Sequence, residues 1–431
     1  MSEDYQTTIK IPSGTINLLD NSVLITSPTK LEAISGSVTL DADSDGTPLE
    51  YLVSVVGPNQ PDLIEVELVG INLINGRNEA NISAMGAVGL RSDLANITMS
   101  SVEIRDNVMV VGGSVSSGNG IGIGITNAST VVLEEVTIDN NNHSGANSID
   151  SISGGGAYIS SGAIDIKDIT VTNNSAWYRG GGLFLVATED ILIDGALFDG
   201  NSTGWSSSGG GAFTIYQNDS SKTTNIKNVQ VSNNSGGSSV IQLISVNNTF
   251  ENSAIFGNTS SRGIQLSLGS PMNLVFLNAS IYDQIYVSDD VNIEMTHSLL
   301  YNASIFQASG LTDLTLKNSM LVSSDGANCF AFGLGSFNSV TSEGYNIVTD
   351  STGDCGTISG TGDLVGTDPN LVGTLPTDVG SSIFVQALNT GSIALDRIPA
   401  SQCTDLPTDA IGGSRPNEGE SFCDVGPYEA P

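Results

Sequence analysis

Residues 169–174 read Ile-Thr-Val-Thr-Asn-Asn, a stretch that alternates apolar and polar residues and ends in two asparagines. Alternation with a period of two is typical of a short β-strand with one buried face. Related stretches end at asparagines that recur every 27 to 34 residues, and these are Asn107, Asn141, Asn174, Asn201 and Asn234. Spacing of this kind indicates a repeat protein, in which each repeat packs on its neighbours.

The repeat has a second element, a run of three glycines that precedes another short apolar segment. It occurs at residues 154–156, 180–182 and 209–211. Glycine adopts the positive φ of a sharp corner and allows neighbouring backbones to approach closely. Each repeat is therefore expected to turn once at asparagine and once at glycine.

Stacking explains how such short strands become stable. A strand of four or five residues cannot bury its apolar face alone, but an identical strand about 4.8 Å away supplies a full ladder of hydrogen bonds. Asparagine tolerates the left-handed backbone of a corner, and its side chain can bond the asparagine of the next repeat. We therefore predict an all-β fold: a right-handed single-stranded parallel β-helix (solenoid) over residues 1–325, with a disulfide-containing C-terminal cap over residues 326–431.

The charge of the chain excludes several classes of partner. There are 46 acidic residues against 13 lysines and arginines, a net charge of −33. Such a surface repels phosphate backbones, which excludes nucleic-acid binding, and it repels an anionic membrane surface. No apolar run approaches 20 residues, so no transmembrane segment is expected. The acidity fits either solubility in extracellular surroundings or the binding of divalent cations.

The cysteines and the N-terminus bear on the cellular compartment. The four cysteines lie in the last quarter of the chain: Cys329, Cys355, Cys403 and Cys423. None has the CxxC spacing of a zinc site, and the only imidazole ligands are His143 and His297, so two disulfides in an oxidising compartment are favoured. The polar start, residues 1–4, predicts that no signal peptide is present in this chain, and an exported form would have lost its leader.

Two parts of the sequence resemble known bacterial surface proteins. The asparagine and glycine elements resemble the repeats of polymorphic outer-membrane proteins and related β-helices of the pectin-lyase-like superfold. The tail contains Arg415-Pro416 and residues 423–429, Cys-Asp-Val-Gly-Pro-Tyr-Glu. Together with residues 342–347, 363–369 and 394–397, this succession looks like the choice-of-anchor Q domain family. The resemblance implies an exported bacterial protein held on the cell surface, and the family has no general catalytic motif.

The same resemblance implies a pattern of disulfides. Cys329 would pair with Cys355, and Cys403 with Cys423, each pair closing a loop of about 20 to 26 residues. A bridge of that span stabilises a fold by roughly 3 kcal/mol. Pairings that span longer segments remain the alternative.

A candidate ligand site lies in the long loops of consecutive repeats. Trp177 and Trp205 both fall between the asparagine corner and the glycine corner. Tyr178 and Arg179 adjoin the first tryptophan, and His143 occupies the corresponding loop one repeat earlier. If the repeats stack in register, these side chains lie along one edge, where exposed rings beside an arginine suit stacking on a sugar or another ligand. In the alternative interpretation, the rings pack over the loops and shield that edge.

A candidate calcium loop lies near the N-terminus. Asp41, Asp43 and Asp45 occupy alternate positions before Gly46, as at the start of an EF-hand loop. The glutamate expected at the twelfth position is missing, and Leu52 stands there. The segment is therefore either a partial calcium site, with calcium as the one candidate cofactor, or an acidic turn between two strands.

Parallel β-helices include many polysaccharide lyases and hydrolases, and hydrolases need two or three carboxylates that meet on one face. Three aspartates occupy related turn positions without forming a compact cluster: Asp139, Asp199 and Asp283. The basic residues of the middle region are scattered: Lys167, Arg179, Lys222, Lys227 and Arg262. The scattered positions of these charged residues indicate that they lie in solvated turns and do not form an active site.

Three functional hypotheses follow. The leading one is a secreted or cell-surface β-helix for adhesion, surface structure or recognition of a glycan or cell-surface partner, without catalysis. The second is a carbohydrate-active β-helix enzyme, a polysaccharide lyase or glycoside hydrolase. The third is a structural subunit that stacks end to end, because uncapped repeats expose unpaired strand edges.

Overall fold

The structure is a computed structural model, and it describes most of the chain: residues 7–18, 22–42, 51–58, 63–78, 88–110, 118–144, 152–204, 209–217, 219–267, 271–323, 329–331, 336–349, 357–379 and 383–431. The chain divides into two compact units. The first comprises Met1–Asn218 and Asn234–Gln242, and the second comprises Asp219–Asn233 and Leu243–Pro431. The second unit includes residues on both sides of position 325; the domain boundary predicted there from the sequence stays a prediction.

The first unit consists of short strands, which in chain order are β1 (Thr7–Ile11), β2 (Gly14–Asn17), β3 (Val23–Ile25), β4 (Thr29–Ala33), β5 (Val38–Asp41), β6 (Val53–Val56), β7 (Ile64–Val69), β8 (Ile71–Ile74), β9 (Arg77–Asn78), β10 (Leu90–Asp93), β11 (Ala95–Ser100), β12 (Glu103–Arg105), β13 (Val108–Val110), β14 (Gly118–Asn119), β15 (Ile123–Glu134), β16 (Thr137–Asp139), β17 (Asn142–Ser144), β18 (Ile152–Ser153), β19 (Ala157–Thr172), β20 (Ser175–Ala176), β21 (Leu183–Ala187), β22 (Ile191–Asp199), β23 (Ser202–Thr203) and β24 (Phe213–Gln217).

These strands pair in parallel with the strand one repeat further along the chain. Ile104 of β12 lies opposite Ile138 of β16, which lies opposite Val171 of β19 and then Phe198 of β22. All four side chains are fully buried. The period-two pattern of the sequence therefore places one apolar residue of each repeat in a continuous internal column, as predicted.

The asparagine corners confirm the predicted ladder. The two roles expected of asparagine, the left-handed backbone and the hydrogen bond to the next repeat, belong to two neighbouring residues. The left-handed backbone belongs to the first residue of each pair, with a φ of 52° at Asn140 and 55° at Asn173. The second residue is fully buried, and Nδ2 of Asn141 donates to Oδ1 of Asn174 over 2.9 Å. The same bond joins the other members of the ladder, Asn107 to Asn141, Asn174 to Asn201 and Asn201 to Asn234.

Glycine is required at the glycine corners for two reasons: a positive φ, and the lack of room for a Cβ atom beside the next repeat. Gly180 has a φ of 61°, where a side chain is strained. A Cβ atom at Gly182 would lie 2.5 Å from the carbonyl oxygen of Ala212 in the next repeat. Both roles predicted for glycine, a positive φ and close approach of neighbouring repeats, are confirmed.

Strand β26 has residues in both units. The described part of the second unit contains short strands and a 3₁₀ turn. Its elements are β25 (Thr223–Ser232), β26 (Ile241–Ile244), β27 (Asn247–Glu251), β28 (Ala254–Phe256), β29 (Ile264–Leu266), β30 (Met272–Leu277), β31 (Ser280–Ile281), β32 (Ile285–Val287), β33 (Val291–Thr296), β34 (Leu299–Tyr301), β35 (Ile305–Gln307), β36 (Leu311–Lys317), β37 (Met320–Val322), β38 (Cys329–Ala331), β39 (Ser336–Gly344), β40 (Ile347–Val348), β41 (Leu364–Val365), β42 (Ile398–Pro399), the turn Ala400–Gln402 and β43 (Phe422–Cys423).

The second unit repeats the same parallel stacking with shorter repeats. Phe250, Phe276, Met295 and Leu316 lie opposite one another on successive strands and are fully buried. Antiparallel pairing occurs in the C-terminal region, in the strand pair β42–β43 and at isolated bridges such as Leu371 with Leu388. The described residues thus form an almost entirely β protein with long series of parallel strands, which is compatible with the predicted β-helix.

The C-terminal residues cover the side of the stacked strands in the second unit. Phe384 stacks on Phe256 of β28, with 5.6 Å between ring centroids. Further along, Ala394, Ile398 and Val425 form a buried cluster with the strand residues Leu299, Met320 and Ile347. The contacts therefore reach from β28 to β40.

One of the two implied disulfides lies within the described residues, and it is present. Cys403 and Cys423 form a disulfide within this buried cluster. Cys329 is fully buried, whereas Cys355 lies outside the described residues, so the bridge between them stays a prediction. Across the described part of the chain, no helix is long and apolar enough to span a membrane.

Candidate functional site

The predicted aromatic site lies in the first unit, where the structure brings His143 and Trp177 together. Their rings meet edge to face with 5.8 Å between centroids, and Nδ1 of His143 lies 3.4 Å from the hydroxyl of Ser175. Trp177 is half-buried against a small cluster that contains Ile121 and Ile152. Its six-membered ring lies so close to the backbone that a Cβ atom on Gly204 would be 2.9 Å from Cε3.

Tyr178 and Arg179 form a second pair in the same loop. The Arg179 guanidinium lies over the Tyr178 ring, 4.8 Å from its centroid. The backbone of both residues is tied to the preceding repeat, because the Tyr178 amide donates to the Ile152 carbonyl and the Gly154 amide donates to the Arg179 carbonyl. Trp205 lies outside the described residues. The ligand-binding role of these five side chains stays a prediction.

The predicted calcium loop is described only at its first residue. Asp41 ends β5, and its Oδ1 accepts a hydrogen bond from Nδ2 of Asn75 over 3.0 Å. Asp43 and Asp45 lie outside the described residues. Within the ranges that the structure describes, no group of three metal-binding side chains occurs, and the calcium site stays a prediction.

The charged residues at candidate catalytic positions take part in local contacts. Asp139 accepts hydrogen bonds from Thr172 and Asn173 of the next repeat, which fixes the corner between them. Lys227 pairs with Glu251 on the neighbouring strand over 3.1 Å. Asp283 is largely buried and accepts from Asn258, and burial raises the pKa of its carboxyl to about 6.

A buried polar cluster in the second unit accounts for the conspicuous motif of the tail. The guanidinium of Arg415 donates from Nη1 to Nδ1 of His297 over 2.6 Å and to the Asp424 carbonyl over 3.1 Å. Its Nη2 donates to the Gly426 carbonyl over 3.0 Å. The Glu429 carboxylate lies 3.7 Å away, and both charged side chains are almost wholly excluded from solvent.

The carboxylates of this cluster hold backbone amides in place. Glu429 accepts from the Asp424 amide, Asp424 accepts from the amides of Asp396 and Ala430, and Asp409 accepts from the Glu429 amide. Nearly all of these contacts lie within the C-terminal region itself. The Arg-Pro and Cys-Asp-Val-Gly-Pro-Tyr-Glu segments therefore form a compact hydrogen-bonded cluster, which we call the lock. Among the described residues, the Arg415 side chain joins the lock to the strand repeats at His297, the corner residue that follows β33.

His297 was not predicted as part of any site. It occupies the left-handed corner position, with a φ of 47°, that asparagine occupies at Asn278 and Asn318 in the neighbouring repeats. The available signal was the departure from asparagine at this position of the repeat. Burial and the Arg415 charge hold the pKa of the His297 imidazole well below its ordinary value, so it is neutral and accepts from the guanidinium.

This cluster predicts a specific dependence of stability on pH. A histidine whose pKa is lowered by folding stabilises the fold above its ordinary pKa of about 6.5, and that stability is lost as the pH falls below it. Glu429 acts in the opposite direction, because burial raises the pKa of its carboxyl to about 7. Its contribution to the free energy of unfolding is therefore lost as the pH rises from about 4.3 towards 7. The difference between the wild type and His297→Asn isolates the histidine.

We expect His297→Asn to unfold at a similar urea concentration to the wild type at pH 8, and to lose less stability than the wild type between pH 6.5 and 5. The histidine contributes at most about 1.4 kcal/mol for each unit of pH over this range. Urea unfolding curves at both pH values provide the measurement. Equal acid sensitivity in the two proteins would show that His297 is not held neutral.

A row of half-exposed side chains lies on the outer face of the second unit, and we call Arg262, Tyr286 and Phe306 the aromatic row. The Tyr286 and Phe306 rings stack with 5.3 Å between centroids and 11° between planes. The Arg262 guanidinium lies over Tyr286, 4.3 Å from its centroid. Both rings stand at outward positions, since their strand neighbours Ile285 and Ile305 are fully buried.

The first unit carries a comparable pair. Tyr158 of β19 and Phe184 of β21 lie opposite each other, with 5.3 Å between ring centroids and 70° between planes. Neither set could be predicted from the sequence, because each ring belongs to a different repeat and only the register of the strands aligns them. No family model, no curated protein and no solved structure matches this chain.

Proposed function

We propose that the protein is a right-handed single-stranded parallel β-helix, exported to a bacterial cell surface, that recognises neutral glycans without cleaving them. The parallel pairing of each strand with the next repeat supports the β-helix, and the C-terminal residues that cover its side would serve as its cap. The Cys403–Cys423 disulfide supports an oxidising compartment. The tail that resembles choice-of-anchor Q proteins supports the surface location.

The observation that carries glycan recognition is the aromatic row. Aromatic rings combine a large apolar area with little conformational freedom, and their exposed edges contact apolar parts of ligands at low entropic cost. Tyr286 is held between Arg262 on one repeat and Phe306 on the next. The outward edges of the two stacked rings, whose centroids lie 5.3 Å apart, form an apolar strip beside the Arg262 guanidinium that a neutral polymer can contact.

The negative charge of the protein favours neutral polysaccharides over anionic ones as ligands. At −33, the protein repels polyuronates and other anionic chains over distances up to about 10 Å at moderate salt. A neutral polysaccharide meets no such barrier and carries hydroxyl groups that the Arg262 guanidinium can bind. Neutral glycans are therefore the expected ligands.

The proposal predicts that removing a ring of the row weakens binding. We expect Tyr286→Ala and Phe306→Ala each to raise the Kd for a bound neutral polysaccharide about tenfold, a loss near 1.4 kcal/mol. Affinity electrophoresis in gels that contain glucans, mannans, xylans or galactans provides the screen, and calorimetry provides the Kd. Phe422→Ala is the matched control, since Phe422 is exposed but lies outside the row. Equal losses in all three variants would contradict the role of the row.

End-to-end assembly is a second candidate, favoured by the first strands. Among the described residues, β1 pairs only with β4, and β2 only with β5. Ile9 and Ile16 occupy the internal columns of Leu31 and Leu40, yet 45% and 40% of their surfaces are exposed. Within the described residues this apolar edge has no second partner strand, and an edge of this kind can accept another strand.

This candidate predicts self-association that grows with salt, because salt screens the repulsion between acidic copies. Light scattering at rising protein and salt concentration should then show oligomers in the wild type and monomers in the Ile9→Lys, Ile16→Lys double variant. A wild type that stays monomeric at high concentration and high salt would rule the assembly out.

A further inference from the structure

A pocket of about 440 Å³ lies in the second unit, between the strands β34 and β37 and the C-terminal residues. Its volume falls within the roughly 300 to 1,000 Å³ of typical ligand sites. Six side chains define its character: Tyr301, Val322, Thr349, Asp368, Asn370 and Leu371. It is separate from the aromatic row and from the buried polar cluster.

The apolar side of the pocket is held rigidly. The Tyr301 ring packs on the Tyr282 ring, with 5.2 Å between centroids, and the Tyr282 hydroxyl is hydrogen-bonded to Gln386. Val322 and Leu371 complete this side. A ring whose position is fixed before a ligand arrives loses little entropy on binding.

The polar side presents oriented groups that are exposed to solvent and keep free hydrogen-bonding capacity. One Asp368 oxygen accepts from the Asn370 amide over 2.8 Å, and Oδ1 of Asn370 accepts from Asn389 over 3.2 Å. Within the described ranges, Oδ2 of Asp368, Nδ2 of Asn370 and the Tyr301 hydroxyl have no protein partner. One carboxylate acceptor, one amide donor and one hydroxyl thus line the same space as an aromatic ring.

We propose that this pocket binds one unit of a neutral saccharide. Adjacent hydroxyl groups of a sugar would donate to Asp368 and accept from Asn370, while the apolar face of the sugar would pack on Tyr301. Among the described lining residues, Asp368 carries the one charge, so an acidic sugar would be repelled. The assignment rests on the proposed glycan recognition and gives it a specific subsite.

The test uses the whole chain and short neutral oligosaccharides of glucose, mannose, xylose and galactose, with polygalacturonate as the acidic probe. We expect calorimetry to show binding of at least one neutral oligosaccharide. Asp368→Asn and Tyr301→Ala should each raise its Kd about tenfold or more. Asp368→Asn retains an oxygen that accepts from the Asn370 amide, so the fold is preserved. Glu294→Gln, an exposed carboxylate on β33, is the matched control.

Each outcome decides the assignment. Neutral glycan binding that depends on Tyr286 and Phe306 but is unchanged in Asp368→Asn and Tyr301→Ala would overturn the pocket and leave the proposed function standing. A wild type that binds no neutral saccharide would overturn both. Preference for polygalacturonate, or binding of Ca²⁺ alone that Asp368→Asn abolishes while sugar binding persists, would also overturn the pocket.

Discussion

Asn174→Ala should destabilise the first unit by about 4 kcal/mol, among the largest losses that a single substitution causes. Asn174 is fully buried, and its Oδ1 accepts from both the backbone amide and Nδ2 of Asn141. Its own Nδ2 donates to the Ile138 carbonyl and to Asn201. The substitution leaves several buried polar groups without partners, and each costs about 1 to 3 kcal/mol, partly relieved by local rearrangement.

Urea unfolding followed by tryptophan fluorescence measures this loss, since Trp177 packs on a buried cluster of the first unit. Asn173→Gly is the matched control. Asn173 is exposed and has a φ of 55°, which glycine adopts freely. The substitution removes its solvent-exposed hydrogen bond to Asp139, so the loss should stay near 0.5 kcal/mol. A loss below about 1 kcal/mol for Asn174→Ala would show that the ladder does not hold the repeats together.

Arg415→Met should be the most damaging substitution in the second unit, with a loss of about 3 to 5 kcal/mol. It removes the donors to His297 and to two backbone carbonyls, and it leaves Glu429 buried without its counter-charge. Arg415→Lys should restore only part of the loss, because an ammonium group cannot reproduce the planar fork of the guanidinium.

The loss can be read from urea unfolding and from the rate at which a protease removes the C-terminal residues. Lys317→Met is the matched control, since its ion pair with Asp405 is partly exposed and such pairs contribute at most about 1 kcal/mol. The double variant Arg415→Met, Glu429→Gln should recover part of the loss, because it no longer buries an unpaired carboxylate. Equal stability of Arg415→Met and Lys317→Met would contradict the proposed lock.

The internal columns and the asparagine ladder could be predicted because they are local and periodic. A column residue such as Val171 is marked by alternation within its own strand, and a ladder residue such as Asn174 by its distance from the previous asparagine. Neither inference needs knowledge of distant contacts. The split between Asn173, which forms the corner, and Asn174, which forms the ladder, cannot be read from this repeat alone because both residues are asparagines. Comparison of repeats reveals it, since the corner position holds Asp106 or Gly200 elsewhere while the ladder position stays asparagine.

Contacts between distant parts of the chain could not be predicted. His297 and Arg415 are 118 residues apart, and no repeat relates them. The aromatic row depends on the register between β32 and β35, which a loop of different length would shift. The pocket around Tyr301 and Asp368 is built partly from the C-terminal region, where the repeat pattern ends. The disulfide between Cys403 and Cys423 was implied by resemblance, and the structure confirms it.

The most direct test of the account is a single incubation of the wild-type protein with neutral and acidic polysaccharides, scored for both bound protein and newly formed chain ends. We predict saturable binding to at least one neutral polysaccharide, none to polygalacturonate, and no increase in reducing or unsaturated ends. Absence of binding to every neutral polysaccharide would contradict glycan recognition. Chain ends that accumulate with time would contradict recognition without cleavage and would identify a carbohydrate-active enzyme.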